Sequence, residues 1–99
     1  MYISVAKYGN GVYFARDSWY SAHDQYSKPN QQLEKLIIQS RVIVGAEVIK
    51  GKEGLRAAPY KDQQTQYDCV VDNVATPGIY VVFNDASAYP EYIIKFKLL

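Results

Sequence analysis

The expected structure depends most on the segment Tyr8-Gly9-Asn10-Gly11-Val12-Tyr13-Phe14-Ala15. A second segment, a few residues later, contributes nearly as much: Ser21-Ala22-His23-Asp24-Gln25-Tyr26-Ser27. The two glycines predict a turn in which the backbone can approach a ligand, because neither residue carries a Cβ atom. The apolar residues after the turn predict a short strand, and the second segment predicts a short helix. Tyr13, Ser21 and Tyr26 would then offer two flat rings and one hydroxyl group to a planar, amide-bearing ring.

The helix is predicted over Trp19–Tyr26, because the apolar and aromatic residues of this range fall at helical spacing on one face. Asp17 or Ser18 would supply its N-terminal cap. The segment Lys28-Pro29-Asn30 ends it, since the residue before a proline resists helical geometry. Gln31–Lys35 shows no clear face and is predicted as a loop or a single turn.

Alternating apolar residues predict the remaining strands. They cover Leu36–Val44 with Val48–Ile49 as a continuation, Tyr67–Val71, Ile79–Phe83, and a last strand from Tyr92 to Leu98. One side of the first of these strands is expected to carry Leu36, Ile38, Val42 and Val44.

Two further features complete the expected fold. Ile79–Phe83 is apolar on both faces, which predicts a central strand. Lys50–Gln66 is polar and contains glycine and proline, which predicts a long loop of the kind that is usually functional or mobile. The fold class expected from these elements is α+β, with a mixed, mainly antiparallel sheet and one short helix.

The composition is typical of one globular intracellular domain. The 99 residues leave room for a single domain, and 48% hydrophobic with 21% charged residues exclude a disordered tail. The net charge of +1, without a run of like charges, gives no indication of nucleic-acid or membrane binding. Cys69 is the only cysteine, which excludes an internal disulfide and a cysteine-cluster metal site. We therefore expect a reducing compartment, the nucleus or the cytoplasm, and no metal.

Several segments resemble one family in the same order. Tyr8–Ala15 resembles the Y-G-x-G-x-Y-F-A signature of the poly(ADP-ribose) polymerase (PARP) superfamily, and Tyr67–Asn73 resembles its Y-D-x-x-x-D-N segment. Pro77–Asp85 and Ala88–Ile94 are similar to the last two strands of its catalytic domain. The resemblance points to the mono-ADP-ribosylating branch, particularly its macrodomain-containing members. It implies an ADP-ribosyltransferase fold truncated at the N-terminus, with residues 1–99 as the C-terminal part of the catalytic domain.

The resemblance implies a site for NAD+ and gives roles to residues that are ordinary by themselves. From spacing alone, Tyr13 is an inward-facing strand residue and Ser21 an exposed helix residue. By resemblance, Gly11 lets the backbone approach NAD+, and Tyr13 shapes the nicotinamide pocket as part of the His-Tyr-Glu catalytic set or its variants. Ser21 would bond the nicotinamide carboxamide, and Tyr26 would stack on the ring. Tyr20 competes for the stacking role, but the spacing from Ser21 favours Tyr26.

Position 79 separates polymer-forming members from the others. Polymer-forming members carry a glutamate there, which binds the ribose next to nicotinamide and activates the acceptor hydroxyl. Ile79 has neither an acceptor atom nor a base. The resemblance therefore implies transfer of single ADP-ribose units to acceptor proteins, with nicotinamide as the leaving group. Catalysis would then depend on orientation and strain, with help from the acceptor's own carboxylate.

Two functions from different classes remain open. One is an NAD+-dependent mono-ADP-ribosyltransferase, present here as a fragment. The other is a catalytically silent module of the same fold, which binds proteins or binds nicotinamide weakly. Family members carry an earlier strand with a His-Gly pair that holds NAD+, and no residue before Tyr8 is His or Gly. The chain alone is therefore expected to have little or no transferase activity.

Two smaller patterns have separate interpretations. A nucleophilic pair of His23 and Cys69 is not favoured, because no third group is there to orient it. Asp72-Asn73 is predicted to cap a turn after its strand.

Overall fold

The computed structural model describes residues 7–24 and 26–97, which form six strands, one helical turn and a short 3-10 helix. In chain order these are β1 (Val12–Ala15), α1 (Ser18–Ser21), β2 (Glu34–Val42), β3 (Ile49–Lys50), β4 (Val70–Val71), β5 (Ile79–Val82), the 3-10 helix (Asp85–Ser87) and β6 (Ala88–Lys97). Gln25, within the predicted helix, and Leu98, at the end of the predicted last strand, lie outside the described residues. Within the described ranges no helix is long and apolar enough to cross a membrane.

The strands are divided between two sheets. A four-stranded sheet has the order β1-β5-β4-β3, and β2 pairs with β6 in a second sheet. Three pairings are antiparallel, and the pairing of β3 with β4 is parallel. The prediction of mixed, mainly antiparallel pairing is confirmed, but the prediction of a single sheet was wrong. The 3-10 helix redirects the chain between β5 and β6, and the side chain of Asn84 accepts the N–H of Ala86 at its start.

β5 lies inside the four-stranded sheet, between β1 and β4, so the prediction of a central strand is confirmed. The buried apolar side chains belong to β4, β5 and the residue before β4: Cys69, Val70, Val71, Val81 and Val82. Burying a valine side chain contributes about 1.5–3 kcal/mol, so this cluster dominates the apolar stabilisation of the sheet. Phe14 of β1 and Val42 of β2 pack against the cluster from outside.

The predicted apolar side of β2 is covered by the core only in the second half of the strand. Leu36 and Ile38 are 57% and 58% exposed, whereas Lys35 is 5% exposed. The pairing with β6 shifts register between Gln39 and Ser40. The extra residue in this pairing belongs to β6, so the alternation of β2 continues through the shift, and the first half of β2 buries its opposite side against the turn after α1.

Several predicted strand boundaries were also wrong, including that of the last strand, which begins at Ala88 rather than Tyr92. β2 begins at Glu34, inside the segment predicted as a loop or turn. Ile49–Lys50 does not continue β2 but forms β3 in the other sheet, where it pairs with β4. Of the predicted strand Tyr67–Val71 only Val70–Val71 is strand. The loop predicted before it is present from residue 51 onward.

α1 is shorter than predicted. The helix was expected over Trp19–Tyr26, but it covers only Ser18–Ser21. The ammonium group of Lys35 donates to the carbonyl oxygen of Ala22 at 2.6 Å. In a continuing helix that oxygen would accept the N–H of Tyr26. The helix has already ended at Ser21, and this tertiary contact competes with a further turn at Ala22.

Asp72 and Asn73 cap the turn between β4 and β5, as predicted. The carboxylate of Asp72 accepts the N–H groups of Gly78 at 3.0 Å and Ile79 at 3.1 Å. The side-chain oxygen of Asn73 accepts the N–H of Ala75 at 2.9 Å. Partial burial would raise the pKa of the Asp72 carboxyl, but the backbone N–H donors outweigh it and hold that pKa below its ordinary value.

We expect Asp72→Ala to lower the free energy of unfolding by about 2 kcal/mol at pH 7, because two N–H groups lose a charged acceptor. The folded-state pKa of Asp72 lies below its ordinary value of 3.8. The contribution is therefore present above that value and is lost as the pH falls through the folded-state pKa. Urea unfolding at several pH values measures both effects.

Asp62→Ala is the matched control. Asp62 also accepts two backbone N–H groups, from Gln64 and Thr65, but in an exposed loop. We expect it to change stability less than Asp72→Ala. Equal losses, or a loss at Asp72 that persists in strong acid, would contradict this account of the turn.

Candidate functional site

The glycine turn before β1 is held by a tyrosine of that strand. The Tyr13 hydroxyl accepts the N–H of Tyr8 at 2.9 Å and donates to the carbonyl oxygen of Gly9 at 2.8 Å. Gly9 has a φ of +127°, in the region that favours glycine. Burial raises the pKa of Tyr13 in spite of its backbone hydrogen bonds. The phenol of Tyr13 therefore stays neutral at physiological pH and fixes the shape of the turn.

Four side chains after β1 line a pocket of about 210 Å³: Trp19, Tyr20, His23 and Tyr26. We call these four residues the aromatic pocket. The rings of Tyr20 and Tyr26 stack with their centroids 5.2 Å apart and an interplanar angle of 19°. Trp19 meets Tyr20 edge-on at 5.9 Å, and His23 meets Tyr26 edge-on at 6.5 Å.

The stacked pair has a defined chemistry. The two hydroxyl oxygens lie 3.2 Å apart, and this hydrogen bond with Tyr26 raises the pKa of Tyr20 to about 12. Tyr20 is thus a neutral phenol at physiological pH. Rings at 5.2 Å are in direct contact, so a third ring cannot enter between them without moving one. A flat ligand would bind against an outer face of the pair.

The size of the aromatic pocket limits what it can hold. Pockets for drug-sized ligands have volumes of about 300–1,000 Å³. A pocket of about 210 Å³ is smaller and suits a single flat ring rather than a whole dinucleotide. Its walls are aromatic, so they can orient a ring and attract a cationic one.

The structure brings only some of the predicted site residues together. The aromatic pocket contains Tyr26 but not Tyr13 or Ser21. Ser21 is half-buried at the end of α1, and its bond to a carboxamide stays a prediction. Ile79 is the first residue of β5 and pairs with Ala15, three residues before α1 begins. It is half-buried, and its role also stays a prediction.

Sequence reasoning missed the wall residues of the pocket. Trp19 and His23 were interpreted only as one face of a helix. The available signal was the concentration of aromatic side chains within residues 19–26. Trp19 is largely exposed beside the stacked pair, as expected for a ring that contacts a ligand more than a core. Lys35 contacts the same segment, but nothing in the polar sequence around it predicted that contact.

The cysteine has no part in this site. Cys69 is fully buried in the core, and burial raises the pKa of its thiol. His23 lies in the aromatic pocket instead, so the structure does not support a Cys–His pair. Across the described ranges, no group of acidic, histidine or cysteine side chains is arranged to hold a metal ion.

Several known proteins that are similar to this chain are named as mono-ADP-ribosyltransferases. No family profile matches it. The chain is 42% identical over 97 residues to human "Protein mono-ADP-ribosyltransferase PARP14", a match that covers 95% of the chain and 5% of the relative. It is 38% identical over 92 residues to mouse "Protein mono-ADP-ribosyltransferase PARP10", covering 91% of the chain and 10% of the relative. The chain therefore spans only a small part of these relatives.

Two plant proteins extend the comparison. The chain is 30% identical over 101 residues to "Probable inactive poly [ADP-ribose] polymerase SRO1" of Arabidopsis thaliana, covering 98% of the chain and 17% of the relative. The crystal structure of the PARP domain of Arabidopsis RADICAL-INDUCED CELL DEATH1 matches with a TM-score of 0.71 and 25% identity, covering 98% of this chain and 55% of that one. The resemblance drawn from the motifs is confirmed: the chain belongs to the PARP superfamily and is similar to its mono-ADP-ribosyltransferases over more than nine-tenths of its length.

Proposed function

We propose that this chain is part of an NAD+-dependent mono-ADP-ribosyltransferase catalytic domain, and that its aromatic pocket receives the nicotinamide ring. The aromatic pocket is the observation that supports this proposal. It is built from the segment that follows the glycine turn, it has the size of one flat ring, and it contains Tyr26. The similarity to named mono-ADP-ribosyltransferases supports the reaction class.

The chemistry of the pocket suits a leaving group. The nicotinamide ring of NAD+ is positively charged, and aromatic faces attract a cation. In the proposed reaction the bond between the nicotinamide nitrogen and the ribose carbon breaks. Nicotinamide leaves with the bonding electrons, and an acceptor oxygen forms a new bond to that carbon. The phenol of Tyr20 stays neutral at physiological pH, so Tyr20 orients the nicotinamide ring rather than accepting a proton.

Protein-observed NMR with nicotinamide as the probe tests the pocket. We expect saturable shifts of the indole N–H of Trp19, the only tryptophan, and of the Tyr26 ring protons. Nicotinic acid is the matched ligand, because it has the same ring with a carboxylate in place of the carboxamide, and it should bind less tightly. The absence of saturable shifts with nicotinamide and with NAD+ would refute the proposed site.

We further expect any transferase that contains these residues to attach single ADP-ribose units, because Ile79 offers no group to activate an acceptor hydroxyl. Ile79→Glu is not expected to produce polymer by itself. The loop after β3 would also have to hold an incoming ADP-ribose. Gel electrophoresis and mass spectrometry of the modified protein measure the product, and long heterogeneous polymer from the wild type would show that position 79 was misinterpreted.

A catalytically silent module is the second candidate. It is favoured by the similarity to a relative named as probably inactive. The two functions differ in one measurement, the release of nicotinamide from NAD+ by a domain that contains these residues together with a strand carrying the His-Gly pair. Saturable binding of nicotinamide without any release from NAD+ would favour the silent module, whereas release would favour the transferase.

A further inference from the structure

Lys35 is a buried charged side chain at the start of β2. Only 5% of it is exposed, and its ammonium group has two partners in the turn after α1. It donates to the carbonyl oxygen of Ala22 at 2.6 Å and forms an ion pair with the carboxylate of Asp24. The first of these bonds holds the carbonyl oxygen of the residue that directly follows α1. Lys35 therefore attaches the turn to β2 on the side that precedes Tyr26.

A second contact attaches the turn on the other side. The buried hydroxyl of Ser27 donates to the carbonyl oxygen of Leu36 at 2.8 Å. Tyr26 follows the residues held by Lys35 and directly precedes Ser27. Its backbone N–H bonds to the carbonyl oxygen of His23 at 2.9 Å, inside the same turn. The placement of the Tyr26 ring against Tyr20 thus depends on contacts made by two neighbouring residues of β2.

The cost of burying its charge indicates that this lysine positions its neighbours more than it stabilises the fold. Removing an ammonium group from water is costly, and an ion pair recovers that cost only with good hydrogen bonds. The partner carboxylate of Asp24 is itself largely exposed, which weakens the pair through solvent screening. An apolar side chain of similar length would fill the same space without this cost. What it would lack is the directed bond to Ala22.

We propose that Lys35 is a positioning residue for the aromatic pocket: it attaches the turn after α1 to β2, and so places the Tyr26 ring to receive a flat ligand. The identity of that ligand rests on the proposed function. The role of Lys35 in placing the Tyr26 ring does not rest on that function. The ligand and the role of Lys35 can therefore be tested separately in the same samples.

Three substitutions in the 99-residue chain test the proposal. Lys35→Met keeps the length of the side chain and removes its donors. Asp24→Asn weakens the ion pair at an exposed residue, so the core is left intact. Lys95→Met is the matched control, because it removes an exposed lysine of β6 whose partner is Glu34 at 3.4 Å. Nuclear Overhauser contacts between the Tyr20 and Tyr26 rings report the pocket, and NMR titration with nicotinamide reports affinity.

We expect Lys35→Met to abolish the Tyr20–Tyr26 ring contact and to raise the nicotinamide Kd about tenfold. It should also return the pKa of Asp24 toward its ordinary value, since the hydrogen bond from Lys35 is the main cause of its depression. Asp24→Asn should weaken the ring contact and raise Kd by a smaller factor. Lys95→Met should leave both unchanged.

Intact ring contacts and an unchanged Kd in Lys35→Met would overturn the proposal, as would equal losses in Lys95→Met. If Lys35→Met does not fold, Asp24→Asn decides: unchanged ring contacts and affinity in that variant also overturn it. A wild-type chain that shows the ring contact but binds no nicotinamide refutes the proposed ligand. In that case the ring contacts of the variants still decide the role of Lys35.

Discussion

An alanine at position 11 is expected to lower the free energy of unfolding by about 3 kcal/mol. A Cβ atom on Gly11 would lie within overlap distance of the carbonyl oxygen of Val82, and 2.9 Å from a methyl carbon of Val81. Val81 and Val82 belong to the central strand β5, which pairs with β1 in this region. The clash is with a backbone atom, so no side-chain rotation relieves it. Either β1 moves away from β5 or the turn rearranges.

Urea denaturation of Gly11→Ala and Gly78→Ala measures the effect against a matched control. A Cβ atom on Gly78 would have its nearest contact at 3.6 Å, to the Asp72 carboxylate, which is an ordinary separation. We expect Gly78→Ala to be close to the wild type in stability. Equal stability of the two variants would mean that the close approach at Gly11 does not constrain the protein.

Replacing Tyr26 with alanine is expected to weaken nicotinamide binding at least about tenfold, because one wall of the aromatic pocket and its stacking face are lost. Tyr20→Ala should weaken binding less, since the Tyr26 ring remains available. Tyr26→Phe keeps the ring but removes the hydroxyl that bonds Tyr20 at 3.2 Å. It should bind nearly as well as the wild type and should lower the pKa of Tyr20 from about 12.

Calorimetric or NMR titration of the three variants gives the ranking directly. Folding is checked on each variant by the methyl shifts of the buried valines of β5, which lie outside the pocket. A larger loss for Tyr20→Ala than for Tyr26→Ala would assign the stacking role to Tyr20 instead. Equal affinity of Tyr26→Ala and the wild type would remove the aromatic pocket as the nicotinamide site.

Local patterns in the sequence determined several parts of this protein. The glycine turn and β1 followed from short-range chemistry, because glycine without a Cβ atom allows the conformation of Gly9. The central place of β5 followed from a run that is apolar on both faces. The cap by Asp72 was predictable because a short polar side chain directly follows a strand. The ordered motifs also identified the family, since several together are far more specific than any one.

Only the tertiary structure decided the remaining features, because each depends on residues far apart in the chain. The buried side of β2 changes along the strand, because its first half contacts the turn after α1 and its second half contacts the core, which no alternation within β2 reveals. The turn after α1 is held by Lys35, 13 residues beyond the carbonyl oxygen to which it donates. The aromatic pocket forms because the turn that follows α1 brings Tyr26 back onto Tyr20. Two long-range hydrogen bonds hold this turn against β2, one from Lys35 to Ala22 and one from Ser27 to Leu36, and local helical spacing reveals neither.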